Sequence, residues 1–404
     1  MSFIEEELNQ LDTPFFFLDR ARMKHEVEQM RLAFQSYWNN YKIAYSVKTN
    51  SLPALATEFL NLGIDAEVVS YDEYQLIRAL GFPRDRIVCN GPIKEPTWLD
   101  EIAYGSEVVN IDSQQEISYY LEAARLHPNR TFSVGIRVNL NLEQEFQEEI
   151  NTNNLGSRFG FSYERGELKR AIERLQTLPN LKIVGLHFHV NSNTRSLAIY
   201  RYLIEHFVKL VKSYQLQEIR YVDMGGGYYG GVPGKPGWKD YLSTFAEVLT
   251  AGGFTPENLQ LIIEPGVSLL ASSLRYYTRV RDIRENAFSP IAILDGSRIH
   301  IDPFFQKQKH QYFYTQVKGD SSKRFSAVQL TGFTCLERDR FFTEEGEVGV
   351  GDLFIFDKVG AYTLTLSPLF ISYFPPVYAV FEEKGIYKVR GKWTHHEFLQ
   401  KSTK

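Results

Sequence analysis

The sequence predicts an α/β chain: a TIM-like (β/α)8 barrel over residues 36–270, then a C-terminal β-rich domain, barrel or sandwich, over 271–404 that also takes in residues 1–35. Three observations predict it. From about residue 40 to about residue 270, eight strand-like runs alternate with amphipathic helix-like stretches across short connections. Eight strands, each followed by a helix, favour a closed parallel barrel over an open doubly wound sheet. After Glu264 the helical period fades, and short apolar or alternating runs are punctuated by Gly, Pro and Asp.

Each element has its own warrant. Lys42 to Lys48 is rich in β-branched and aromatic residues, and Ser51-Leu52-Pro53 then opens a helix-like stretch. Further strands are expected over Asp65–Ser70, Arg86–Asn90, Val108–Asp112, Thr131–Asn139, Leu181–Val190, Glu218–Met224 and Leu259–Glu264. Apolar residues recur at helical spacing over Tyr71–Leu80, Gln114–His127, Arg195–Tyr214 and Asp240–Ala251. In the second domain Tyr276–Val280, Ile291–Leu294, Ala327–Gly332 and Asp352–Phe356 read as strands, and the early string TPFFFLD adds one to either unit.

Composition narrows the function classes. The 404 residues can bury a sizeable core, and 45 basic against 49 acidic side chains give no bulk attraction to nucleic acid or anionic lipid. Small molecules or protein are the expected partners. Two cysteines far apart, Cys89 and Cys335, argue against a disulfide scaffold and thiolate zinc chemistry, and fit a reducing cytoplasm. The acidic start carries no targeting pattern, and no run is long enough to span a bilayer, so neither membrane nor nucleic acid is expected as a partner.

Candidate chemistry gathers at the strand ends, which form the active-site face of such a barrel. Lys48 closes an apolar run, where an ammonium is paired, titrated down or used covalently. In GLHFHVNS, His187 and His189 share one face by alternation and Ser192 follows; with no third ligand at a recognisable spacing, no metal is assigned. Gly225, Gly226 and Gly227 follow the seventh strand, where backbone amides free of side chains can meet an anion. Glu264, before Pro265 and Gly266, ends a strongly apolar strand and needs a cation, a donor or water; Arg137 in GIRVN is one possible partner.

Together these are the parts that hold pyridoxal 5'-phosphate: an imine-forming lysine, a ring-sized imidazole, an anion cradle and a carboxylate for the pyridine nitrogen. The chain resembles the fold-type III pyridoxal-phosphate decarboxylases, the group containing diaminopimelate, ornithine and carboxynorspermidine decarboxylases, from TPFFFLD to FDKVGAYTLTLSP. The resemblance implies Lys48 as the Schiff-base lysine, Glu67 and Arg137 near the cofactor, and His189 stacked on its ring. It further implies Ser192, Gly225 to Gly227, Gly266 and Tyr362 around the phosphate, with Glu264 on the pyridine nitrogen. Cys335, in GFTCLERD, resembles the cysteine that this family supplies across a dimer interface to protonate the substrate carbon, which implies a homodimer with shared sites. The implied catalytic set is Lys48, Cys335, His189 and Glu264, and the implied reaction is loss of the α-carboxylate of an amino acid as carbon dioxide.

Departures from the family pattern bear on the substrate. Val267 replaces a usual Arg after EPG, Asn191 stands where Gly is common, and Leu336 replaces the acid after the cysteine, with Glu337 beside it as a substitute. Asp302 takes the place of the Arg that binds the distal carboxylate in diaminopimelate enzymes, and Gln306 that of a Tyr. An acid there repels a carboxylate and welcomes an amine, which disfavours diaminopimelate. Leu336 disfavours plain ornithine or lysine, and together with Val267 it is similar to the pattern of carboxynorspermidine decarboxylases, while SPLFISYFPPVY departs from the usual ending. The expected substrate is therefore an atypical or conjugated diamino acid, carboxynorspermidine-like or a siderophore or antibiotic intermediate. Diaminopimelate is the alternative. Two further alternatives are an amino-acid racemase, which shares the barrel and the lysine, and a non-catalytic decarboxylase-like binding protein.

Overall fold

The computed structural model describes residues 3–150, 155–192, 194–230, 232–381 and 385–402. Its contacts divide the chain into two compact units, one of residues 26–48 and 56–269, the other of residues 1–25, 49–55 and 270–404.

The first unit is a closed barrel. Its strands are β1 (Tyr41–Ser46), β2 (Asp65–Val68), β3 (Ile87–Cys89), β4 (Val108–Ile111), β5 (Phe132–Asn139), β6 (Leu181–His187), β7 (Tyr221–Asp223) and β8 (Gln260–Ile263). Each pairs in parallel with the next, and β8 returns to β1, so the ring has no open edge. All eight expected strands are present, but most end one to three residues earlier than the sequence suggests. At the strand ends, Phe188 N–H still donates to the carbonyl of Asp223, the last residue of β7, at 2.8 Å, while Glu264 N–H turns to the Gly225 carbonyl in the loop after β7 at 2.7 Å. Lys48, expected on the strand, stands instead in the 3₁₀ turn Val47–Thr49.

Inside the ring, Ala44, Val88, Val184, Tyr221 and Ile262 pack into a core layer. Helices follow the strands with local signals that explain their starts. Ser70 caps the helix Tyr71–Ala79 by accepting the Glu73 amide, while Glu73 reaches back to the Val69 amide at 2.8 Å. Ser113 and Glu116 repeat the device at the helix Gln114–Leu126. The pattern is a reciprocal capping arrangement, two orphan amides satisfied by two side chains.

The second unit is built on a nine-stranded sheet. Its spine is the long strand Leu274–Glu285, which pairs antiparallel with Phe15–Leu18, Pro290–Leu294 and Leu353–Asp357. The TPFFFLD strand thus belongs here, with Leu8, Phe15, Phe17, Tyr277 and Leu353 as its core. Phe15 stacks on Tyr277 with ring centroids 4.5 Å apart.

Candidate active site

The register of β1 against β2 places Ser46 beside Glu67. Two residues later Lys48 directs its ammonium back at the same carboxylate: Nζ lies 2.7 Å from Glu67 Oε2 and 2.6 Å from Ser46 Oγ. Glu67 is 1% exposed and the Lys48 side chain 34%, so a buried anion anchors a cation that reaches the surface of the site. Ser46 also donates to Glu67 Oε2 at 2.6 Å.

Glu264 follows β8 and is equally buried. The Asn90 amide donates to its Oε1 at 2.5 Å and to Glu67 Oε1 at 3.2 Å. Asn90 is held in turn by Asn110, which also donates to Asp223 and accepts from the Tyr221 hydroxyl at 2.8 Å. Gly135 and Gly185 leave the space that the Tyr221 ring fills. Burial, and then the charge of Glu264, push the Asp223 carboxyl well up. Burial also opposes ionisation of Glu264, yet His187, the Asp223 proton and Lys48 outweigh it and hold Glu264 below the usual carboxylate range. The two carboxyls thus shift in opposite directions, Asp223 toward its neutral form and Glu264 toward its ionised form. Arg137 is not its partner, contrary to the sequence expectation: it pairs with Asp112 at 2.7 Å and lies over the Phe159 ring.

His187 and His189 flank Glu264, one ring nitrogen of each and one carboxylate oxygen lying within 4.8 Å of one another. His187 Nε2 stands 3.6 Å from Glu264 Oε2, just beyond hydrogen-bond length, and neither ring nitrogen has a hydrogen-bond partner among the described residues. His189 accepts the Gly226 amide on Nδ1 at 3.0 Å. Part of its surface stays open, yet the protein packed around it, followed by Arg137 and Lys48, pushes the imidazole down to about 3. The ring is neutral at physiological pH.

The glycine run is a floor more than a cradle of amides. A Cβ on Gly225 would meet the Phe188 carbonyl at 2.6 Å, and one on Gly226 the Glu264 carbonyl at 2.5 Å. The Gly225 amide goes to Asp223 and the Gly226 amide to His189, so only Gly227 keeps an amide without a protein acceptor among the described residues. Ser192, after β6, caps the turn to Arg195. Gly266 follows β8 directly before the helix Val267–Leu270. A cavity of about 860 Å³ adjoins the cluster, lined by Arg137, Phe159, His189 and Asn191 among others.

The remaining candidates lie in the β-rich unit. Tyr362 is partly exposed, and its amide donates to the Thr49 carbonyl at 2.9 Å. Cys335 is an exposed free thiol, Leu336 is exposed beside it, and exposed Glu337 pairs with Arg340 at 2.7 Å. Asp302 requires a correction. Its carboxylate is 5% exposed and accepts from Arg298, the Gln306 and Lys307 amides and the Tyr312 hydroxyl. Burial pushes its pKa upward, but the Gln306 amide, Arg298 and the Lys307 amide outweigh it and hold the acid below its ordinary range. A carboxylate spent on four internal donors does not select an amine-ended substrate.

Sequence reasoning missed Asn90, Asn110 and Asp223. The signal was there in IVCN and YVD, apolar strands closed by a polar residue, the same feature that marked Lys48.

Pyridoxal phosphate fits this donor set. The buried Glu264, held toward its ionised form, would accept from a protonated ring nitrogen, neutral His189 would offer a flat face to the ring, and Lys48 would supply the amine. Comparison with known proteins agrees. Residues 20–271, more than half of the chain, match the family model for the pyridoxal-dependent decarboxylase, pyridoxal binding domain. The diaminopimelate decarboxylase of Methanocaldococcus jannaschii is 25% identical, covering 98% of this chain and 92% of that protein, and that of Aquifex aeolicus is 27% identical, covering 98% and 93%. The crystal structure of the M. jannaschii enzyme in complex with L-lysine superposes with a TM-score of 0.85 at 24% identity, covering 98% of this chain and 94% of that one. A lysine/ornithine decarboxylase from Vibrio vulnificus complexed with putrescine gives 0.74 at 22% identity, covering 93% and 97%. With the closed barrel in place and residues 20–271 matching the family model, the chain belongs to the pyridoxal-dependent decarboxylase family, an enzyme that uses pyridoxal phosphate to decarboxylate an amino acid.

Proposed function

We propose that the substrate is diaminopimelate, decarboxylated at one α-carbon to give lysine and carbon dioxide. Similarity to diaminopimelate decarboxylases over nearly the whole of both chains supports this reading. The one structural argument against it, a repelling Asp302, falls away because that carboxylate is turned inward. The expectation of an atypical diamino acid rested on Asp302 together with Val267, Asn191, Leu336 and Gln306, and it yields to the alternative that similarity over nearly the whole chain favours. The racemase and non-catalytic readings give way to the family assignment.

Bound pyridoxal phosphate supplies a carbonyl that condenses with amines and a ring that withdraws electrons from the α-carbon. This chain's residues do the rest. Lys48 offers its amine, with Glu67 compensating the ammonium until it reacts. Glu264 stays ionised in a buried place and holds a proton on the ring nitrogen, which makes the electron withdrawal effective. Neutral His189 presents a flat face without adding positive charge. We assign Ser192, Gly227, Gly266 and Tyr362 to the phosphate, and the thiol of Cys335 to protonation of the substrate carbon from a second subunit. Support for that homodimer comes from the family resemblance and from the exposed Cys335, Leu336, Phe370 and Ile371 of the β-rich unit.

The test is carbon dioxide release from the reconstituted enzyme with diaminopimelate, lysine, ornithine and carboxynorspermidine side by side. Diaminopimelate should lead by at least about tenfold in kcat/KM, about 1.4 kcal/mol of transition-state preference. Faster turnover of an amine-ended substrate would overturn the proposal.

A further inference from the structure

Asn90 closes β3 at the centre of the strand-end face and is 3% exposed. Its amide joins two carboxylates from different strands: Nδ2 lies 3.2 Å from Glu67 Oε1 and 2.5 Å from Glu264 Oε1. Oδ1 accepts from Asn110 at 2.9 Å, which fixes the orientation, since only the NH2 side can serve two carboxylates. The other oxygen of Glu67 is taken by Lys48 and Ser46, and that of Glu264 faces His187. An unbroken chain of contacts thus runs Lys48, Glu67, Asn90, Glu264.

We propose that Asn90 is a positioning residue that joins the lysine end of the site to the ring-nitrogen end, so that the two carboxylates share one donor pair and the charge on one is felt at the other. The inference rests on the decarboxylase reading above. Buried carboxylates with a common neutral donor repel each other less than bare ones, because each N–H offsets part of the charge. When Lys48 gives up its ammonium charge, Glu67 loses its cation and draws more on Asn90, which leaves less for Glu264. The titratable groups that interact with this pair from surrounding elements are Lys48, Glu73, Cys89, His187, His189, Tyr221, Asp223 and Tyr228.

Replacing Asn90 by Leu removes both N–H groups at similar volume, and Asn90→Ser leaves one hydroxyl for two acceptors. The readout is the pH midpoint of the visible absorbance of the bound cofactor, which reports the proton held at the Lys48 nitrogen, recorded with thermal unfolding of the same samples. Uncompensated negative charge favours the protonated form. Asn90→Leu should therefore move the midpoint up by about one pH unit, tenfold in proton affinity, and Asn90→Ser by a smaller step in the same direction. A merely structural Asn90 would lower the unfolding temperature and leave the midpoint in place, which overturns the proposal. If Asn90→Leu does not fold, an unshifted midpoint in Asn90→Ser overturns it alone. Failure of the wild type to take up pyridoxal phosphate would instead count against the cofactor reading.

Discussion

The Nδ1 atom of His189 accepts the Gly226 amide at 3.0 Å, so the ring hydrogen sits on Nε2 and the backbone of the loop after β7 sets the orientation of the imidazole. The same glycine lies close under the Glu264 carbonyl, 2.5 Å from where a Cβ would stand. Backbone cannot give way as a side chain can. Gly226→Ala should cost about 1–3 kcal/mol of stability, as overpacking does, and lower the cofactor content of the purified protein. Thermal denaturation and cofactor absorbance check both; wild-type values in each would show that the loop has slack.

Glu264→Gln keeps an oxygen for Asn90 and removes the charge. The cofactor should still bind, while kcat falls about 10²–10³-fold, the cost of losing one preorganised electrostatic partner. A variant as fast as the wild type would show that the ring nitrogen does not rely on this carboxylate.

Glu73 gives a pH dependence. Burial pushes its carboxyl up to about 7 from 4.5; the Val69 amide and Lys48 pull it down, and Glu67 adds to the rise. Between these values the folded state holds a proton that the unfolded state has released, so this group lowers stability as pH rises through the window. Glu73→Gln removes the dependence. Its stability advantage over the wild type should grow from pH 4.5 to 7, by at most about 1.4 kcal/mol per pH unit, and then level off. Denaturant unfolding at a series of pH values measures it, and a constant difference would refute the assignment.

Lys94 and Glu116 form an ion pair at 2.6 Å with side chains 0% and 1% exposed. Lys94 also donates to the Asn110 carbonyl, so the pair braces the strand that carries Asn110. Lys94→Met alone should destabilise by about 3–5 kcal/mol, because it strands a buried carboxylate. Adding Glu116→Gln, which keeps an oxygen for the Asp112 amide and Ser113, should recover part of that loss in equilibrium unfolding. Equal stability of the single and double variants would show that the stranded charge is not the cause.

Much of this was legible in the sequence. Lys48, His189 and Glu264 drew notice as polar residues closing apolar strands, and alternation of strand and helix patterns sufficed for the eight-stranded ring. Asn90 and Asp223 close similar strands and passed unnoticed, since Asn and Asp end strands everywhere by turn chemistry. The strands are shorter than the sequence suggests because the apolar pattern runs past the ladder, to residues such as Glu264 whose amide serves the loop after β7. The glycine run promised three amides to an anion, but two of them already had acceptors in Asp223 and His189, partners that only folding reveals. Asp302 was read as a single replaced position, while its meaning lies in Arg298, one helical turn earlier.

That inward ion pair constrains how this protein can change. Arg298 spends its guanidinium on Asp302 and on the carbonyls of Lys307 and Arg340. Placing an Arg at 302, to restore the residue expected of diaminopimelate enzymes, would set two cations side by side in a buried turn with no acid between them. Exchanging either residue alone leaves a largely buried charge without its partner, so the two positions are coupled. On the proposed substrate, the far carboxylate would therefore be met by residues other than Asp302, and a search for them should begin at positions whose side chains are not locked into internal ion pairs.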